Sequence, residues 1–200
     1  MVWTTIRLFI PIQEDEIDTL QAGDRLLVNG RVFSMRDKAL QRISHAIEKG
    51  DKLPFDFRNG FFYYAGPTPA LEGEAKHRQN HSIDPEISRI MESLQIRGMI
   101  GQGPRSQLIK DSCRNFKSLY LEAFFGQGSH LNHYICSKEI AAFGELGADA
   151  VFELKITDLP LIIINDIYGR DLYEIAKKED SKAIQEILQV LSINNSYSTD

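Results

Sequence analysis

Apolar and polar positions alternate from Thr5 to Ile12, which predicts a strand, and Glu14 to Leu20 suits a short helix. Gln21-Ala-Gly-Asp24 punctuates the chain. Arg25 to Phe33 then reads as two short strands hinged at Asn29-Gly30, a dipeptide suited to a two-residue turn. Ser34 is placed to cap a following helix, with Asp37 three residues on, near the positive N-terminal end. Leu40, Ile43 and Ile47 give that helix an apolar stripe, and Gly50 ends it. Leu53-Pro-Phe-Asp56 reads as a turn, Phe61 to Ala65 as a strand, and Gly66-Pro-Thr-Pro69 as a stop.

From residue 70 to 82 the chain is polar and lacks any period, which predicts a loop of at least ten residues. Loops of that length in a compact domain often carry function. A helix is predicted over Pro85 to Leu94 and a strand over Gly98 to Ile100. Gly101-Gln-Gly103 then precedes a helix begun by Pro104 and running through Cys113. A strand from Ser118 to Leu121 leads into Gly126-Gln-Gly128. A helix over Leu131 to Ser137, strands at Ala150 to Ile156 and Leu161 to Ile164, and an amphipathic helix from Asp171 to about Ser192 complete the pattern. Strands mixed with helices throughout indicate an α/β fold. Residues 1–173 form the expected main domain, and 174–200 the rest of the C-terminal helix and a frayed polar tail.

Charge narrows the functional classes. Lys plus Arg number 23 against 28 Asp plus Glu, a net charge of −5, with no basic run. Phosphate neutralisation needs clustered positive charge, so nucleic acid is not the expected partner. The apolar stretch Leu159 to Ile164 is broken by Pro160 and too short to span a bilayer. The N-terminus shows no basic-then-apolar signal pattern. Two cysteines, Cys113 and Cys136, are too few for a disulfide framework or for a cluster held by this chain alone. A reducing cytoplasm is the simplest expectation.

Three places could carry chemistry. Strand, Gly-x-Gly and helix at Gly101-Gln102-Gly103 can aim backbone N–H groups at a carboxylate or phosphate, with Arg105 and Ser106 adding donors; the competing reading is a tight turn. Arg36-Asp37, at a helix start, can present a planar cation to a carboxylate, or form an ion pair that only stiffens the helix. His130, His133 and Cys136 would share one helix face at spacings of three, yet a half-exposed face is the better reading than a metal site. No metal ligand is assigned. His77 and His81, in the polar loop, are expected to face solvent.

Taken together these segments resemble the β subunit, or C-terminal domain, of class I iron–sulfur fumarases and L-tartrate dehydratases. The residues that carry the resemblance are Leu20-Gln-Ala-Gly-Asp24, Asn29-Gly30, Arg36-Asp37, Leu53-Pro-Phe-Asp56, Tyr63-Tyr-Ala-Gly-Pro67, Gly101-Gln-Gly103, Arg105-Ser-Gln107, Glu145-Leu-Gly147 and Asp166 to Leu172. They run in the family's order over roughly residues 5 to 173. The resemblance implies a swivelling three-layer β/β/α domain over residues 1–173. It also implies a partner α subunit that holds a 4Fe–4S cluster with an open, substrate-binding iron. This chain would bind no cofactor itself. It would close over the cluster and contact a small di- or hydroxycarboxylate. Contacts with a second copy of the chain stay open.

On that resemblance the substrate-binding positions are Arg36, Asp37, Arg78, Gln79, Ser82, Gly101, Gln102 and Gly103, with no catalytic residue assigned. Several depart from the family pattern. Leu40 stands where a His follows Arg-Asp, Arg78 and Gln79 replace two threonines, Ser82 replaces an arginine before Asp84, and Gln102 replaces a lysine. A later Gly-Gly pair has become Gly126-Gln127. Three readings follow: a hydro-lyase β subunit with altered substrate and proton-transfer groups, a non-catalytic relative that binds an acid or a partner subunit, and a freestanding structural domain. Classical fumarase activity is not expected of a chain with these substitutions.

Overall fold

Seven strands and five α-helices follow in mixed order through the described residues of the computed structural model, which are 5–64, 81–123, 131–178 and Gln189. The strands are β1 (Thr5–Ile10), β2 (Arg25–Met35), β3 (Phe61–Tyr64), β4 (Gly98–Gly101), β5 (Leu119–Ala123), β6 (Ile135–Ala142) and β7 (Val151–Asn165). The helices are α1 (Glu14–Ile17), α2 (Asp37–Lys49), α3 (Asp84–Ser93), α4 (Gln107–Asn115) and α5 (Leu172–Lys178). The sheet order is β1-β2-β3-β4-β5-β7-β6. The first five strands run parallel, and β7 runs antiparallel to β5, β6 and β2. Because β7 pairs with both β5 and β2, strands β2, β3, β4, β5 and β7 form a closed circuit of pairings. The chain is therefore a mixed α/β protein built on a seven-stranded sheet.

Strand alternation splits the apolar residues into two cores. Met35, Phe62, Tyr64, Met99 and Tyr120 face the helices, with Leu40 and Ile43 of α2 and Ile87 and Ile90 of α3 against them. Their neighbours Phe61, Ile100, Leu119 and Leu121 point the other way, onto Leu8, Leu26, Val28 and Ile163. Burying each large side chain is worth roughly 1.5–3 kcal/mol. Both faces of the parallel strands are covered, which is why their sequences read as near-continuous apolar runs.

Five local expectations are corrected by the structure. Arg25 to Phe33 is no hairpin: β2 is one strand of 11 residues that passes through Asn29-Gly30. Gly30 has φ +125°, and a Cβ there would lie 2.5 Å from the Ile10 carbonyl oxygen, so the glycine admits the β1 backbone rather than a turn. Ala150 to Ile156 and Leu161 to Ile164 are likewise one strand, β7. Opposite Asn29 it bulges at Thr157-Asp158, where the Asn29 amide donates to the Asp158 carboxylate at 2.9 Å and accepts its N–H at 3.0 Å.

Ser34 does not cap α2. It is a buried residue of β2, and Arg36 is the N-cap. Pro104 does not begin α4, which starts at Gln107 with Ser106 as its N-cap, because Arg105 runs inward to a buried partner first. Leu131 to Ser137 is not a helix either. A 3-10 turn over Leu131–Tyr134 gives way to β6, since β7 offers a strand edge to pair with. The polar loop expected over 70–82 lies outside the described residues up to 80 and ends in a 3-10 turn over His81–Ile83; the glycine turn at 126–128 and the C-terminal helix beyond Lys178, Gln189 excepted, also lie outside them. Among the described residues no helix is long and apolar enough to cross a membrane.

Candidate functional site

Parallel strands end on one side of a sheet, so the loops after β2, β3, β4 and β5 collect along a single edge. That edge gathers Arg36-Asp37 after β2, Tyr63 and Tyr64 at the end of β3, and Gly101 to Gly103 after β4. Asp37 accepts a hydrogen bond from the Tyr64 hydroxyl at 2.7 Å. The Arg105 guanidinium lies 5.3 Å from the centroid of the same Tyr64 ring. Arg105 in turn forms an ion pair with Asp84, and the Ser106 hydroxyl donates to that carboxylate at 2.5 Å. Burial and the Asp37 charge push the Tyr64 phenol well above its ordinary range, so it stays a donor. Asp37 is thus held by a continuous network, and it stands beside Arg36 at the start of α2.

The glycine segment is shaped by Tyr120. A Cβ at Gly101 would come within 2.9 Å of the Tyr120 ring, and the Tyr120 hydroxyl donates to the Gly103 carbonyl at 2.8 Å. The anion that meets the Gly103 N–H is one the protein supplies itself, the Glu122 carboxylate. Glu122 is 2% exposed and also accepts from the Tyr173 hydroxyl at 2.9 Å. Burial pushes its carboxyl up to about 7 and the Asp171 charge adds to this, while the two hydrogen bonds pull it back. Sequence reasoning missed Glu122. Its signal was available: a lone acid inside the apolar strand Leu119-Tyr-Leu-Glu-Ala123.

A second missed residue is Lys138, on β6. Its ammonium lies 4.1 Å from the centroid of the Phe152 ring, and desolvation first, then the Arg36 charge, lowers its pKa. The remaining expectations fare unevenly. Ser82 is exposed and Gln102 half-buried, while Arg78, Gln79 and His77 lie outside the described residues. Leu40 is fully buried against the helical core. His130 is outside the described residues, His133 sits in the 3-10 turn, and Cys136 is exposed on β6, so His133 and Cys136 do not share a helix face. Among the described residues no three His, Cys, Asp or Glu side chains gather as metal ligands do.

The motif at Asp166 is a scaffold. Its buried carboxylate accepts from the N–H groups of Ala22, Tyr168 and Arg170, each at 2.9 Å, and from Arg170 Nε at 2.7 Å. This ties the Gln21-Ala-Gly-Asp24 turn to the end of β7. Lys110 of α4 similarly bridges Asp171 at 2.5 Å and Glu174 at 2.7 Å, fastening α5 beside the site.

Sheet, glycine segment and acidic-basic edge define a class of domain, and comparison with known proteins identifies it. A family model described as fumarase C-terminus matches residues 3–176, and the chain belongs to that family. It is 29% identical over 164 residues to the aerobic class I fumarate hydratase of Escherichia coli (strain K12), covering 80% of this chain and 30% of the relative. It is 28% identical over 163 residues to fumarate hydratase 2 of Leishmania major, covering 79% of this chain and 29% of that relative. A Methanocaldococcus jannaschii protein assigned to the beta subunit of L(+)-tartrate dehydratase is 26% identical over 191 residues, covering 90% of this chain and 97% of the relative. The chain therefore spans about 30% of the length of the fumarate hydratases and nearly all of the beta subunit.

Proposed function

We propose that this chain is the carboxylate-binding β subunit of a two-subunit iron–sulfur hydro-lyase of the fumarate hydratase or tartrate dehydratase type. The observation that carries the reading is the convergence of Arg36, Asp37 and Tyr64 at one sheet edge. The near full-length likeness to a beta subunit supports the two-chain arrangement. Helices on one face of the strands and an apolar core on the other support a layered β/β/α unit that swivels over its partner.

The cysteines of this chain do not fit a cluster. Cys113 is buried in the helical core with its thiol pushed up to about 12, chiefly by burial, and Cys136 is exposed on β6. In this reading the cluster belongs to the α subunit, where its iron would supply a Lewis acid. The work of this chain is to bind and orient the acid. Arg36 presents its guanidinium to one carboxylate, and Asp37, braced by Tyr64, holds the helix start in place. A charge-assisted bond of this kind is worth about 1.5–3 kcal/mol. Arg36→Ala should therefore weaken binding of L-malate by roughly tenfold or more in calorimetry. Unchanged affinity would put the site elsewhere.

The second reading, a non-catalytic relative, is favoured by the side chains now in place. Leu40 is fully buried, Ser82 is exposed and Gln102 is a neutral amide. None of them titrates near pH 7. A missing proton-transfer group typically costs 10²–10⁴-fold in rate. Combined with a cluster-bearing α subunit, the unmodified chain is expected to show little fumarate hydration. Arg78→Thr, Gln79→Thr, Ser82→Arg and Gln102→Lys together should raise it. Ordinary turnover by the unmodified complex, followed by fumarate absorbance, would remove this reading.

A further inference from the structure

Tyr64 closes β3 and Asp84 opens α3, well apart in the sequence, yet one guanidinium lies against both. Arg105, on the connection from β4 to α4, forms an ion pair with the Asp84 carboxylate and lies over the Tyr64 ring, 5.3 Å from its centroid. The other Asp84 oxygen accepts from the Ser106 hydroxyl at 2.5 Å, which keeps the carboxylate turned towards the pair. Among the described residues Arg105 Nε has no hydrogen-bond partner, so the ion pair and the ring face fix the cation. Tyr64 in turn donates its hydroxyl to Asp37 at 2.7 Å, at the first position of α2. Asp84, Arg105, Tyr64 and Asp37 form one line of contacts joining α3, the β4–α4 connection, β3 and α2.

We propose that Arg105 is the positioning residue of the acid-binding edge, holding Asp84 and Tyr64 together and, through the Tyr64 hydroxyl, the start of α2 that carries Arg36. The inference rests on the proposed function and deepens it. With its side chain 1% exposed, Arg105 acts through its neighbours rather than on a ligand. The task needs a planar cation. A guanidinium offers N–H groups along its edge to a carboxylate and a flat face to a ring at the same time, whereas an ammonium is a point charge. Burial enforces the pairing, because a guanidinium moved off Asp84 would lie unsolvated. Tyr64 gives the line its direction. Its ring meets the cation and its hydroxyl meets the helix start, so a shift at one end reaches the other.

L-malate titrated into the full chain by calorimetry, with Arg36→Ala alongside, separates the outcomes. Arg105→Lys keeps a charge for Asp84 and loses the planar face, whereas Tyr64→Phe keeps the ring and loses the hydroxyl. Each should weaken L-malate about fivefold, and the double variant by no more than about tenfold, because both break the same line of contacts. Ile17→Ala, in the helix-free core, should lower the melting temperature and leave L-malate affinity within about twofold. Unchanged affinity in Arg105→Lys or Tyr64→Phe, with binding weakened in Arg36→Ala, overturns the inference and leaves the proposed function standing. Losses that multiply to about 25-fold in the double variant also overturn it, since the two residues would then act separately. So does a loss in Ile17→Ala equal to theirs, which would be general destabilisation. If Arg105→Lys does not fold, Tyr64→Leu replaces it. Removing ring and hydroxyl together should weaken L-malate more than Tyr64→Phe does, and equal affinities overturn the inference. No loss in Arg36→Ala, or no binding of L-malate by the unmodified chain, overturns both.

Discussion

Asp84→Ala is expected to destabilise the protein by about 3–5 kcal/mol. The carboxylate is buried against Arg105, the two side chains being 2% and 1% exposed. Removing the acid strands a guanidinium where water cannot reach it. The Ser106 hydroxyl loses its acceptor as well, at the N-cap of α4. Such a penalty belongs to burial rather than to ion pairing in general. Arg42 and Glu145 also form a salt bridge, but both are at least half exposed. Glu145→Ala should cost no more than about 1 kcal/mol. Urea titrations of the two variants make the comparison directly. A loss below about 1 kcal/mol for Asp84→Ala would mean that water solvates Arg105 as readily as it does Arg42. Asp84→Asn, which keeps an acceptor for Ser106, should fall between the two.

Glu122→Gln is expected to flatten the pH dependence of stability between about pH 4.5 and 7. The Glu122 carboxyl is raised from 4.5 to about 7 in the folded chain, with burial as the main cause. Within that window the unfolded chain has already lost the proton that the folded chain still holds. Folded Glu122 therefore binds more protons, and stability falls as pH rises, levelling off once the folded group has ionised. Each pKa unit corresponds to about 1.4 kcal/mol, so the drop across the window is a few kcal/mol at most. Glutamine retains an acceptor for the Gly103 N–H and the Tyr173 hydroxyl and never ionises. Melting temperatures at pH 5, 6, 7 and 8 should converge for the variant and fall for the unmodified chain. Parallel slopes for the two would sink the assignment. The consequence reaches the site, because Glu122 holds Gly103 on one side and Tyr173 of α5 on the other.

Elements with strong local signals were legible from residue order alone. The apolar stripe of Leu40, Ile43 and Ile47 placed α2, and the glycine at 50 ended it, with φ +73°. Ordered motifs, Arg36-Asp37 and Gly101-Gln-Gly103 among them, suggested the family, and the family model matches residues 3–176. Local chemistry also identified Arg36 as a cation at a helix start, and the fold bears out that position.

Tertiary structure decided what those signals could not. Asn29-Gly30 has the dipeptide of a hairpin, yet the backbone of β1 presses on Gly30 and β7 pairs along the other edge, so the chain runs straight through. Pairing energy from two neighbours outweighs the preference of a two-residue turn. The glycine segment after β4 reads as a cradle for a bound anion, but β5 brings Glu122 against Gly103 from 19 positions further on. Lys138 and Arg36 are more than 100 residues apart, and only the register of β6 on β7 and of β7 on β2 lets the Arg36 charge act on Lys138. Local propensity acts over a few residues, whereas charge and burial act between whatever the sheet places side by side, and the register of that sheet is fixed by distant partners.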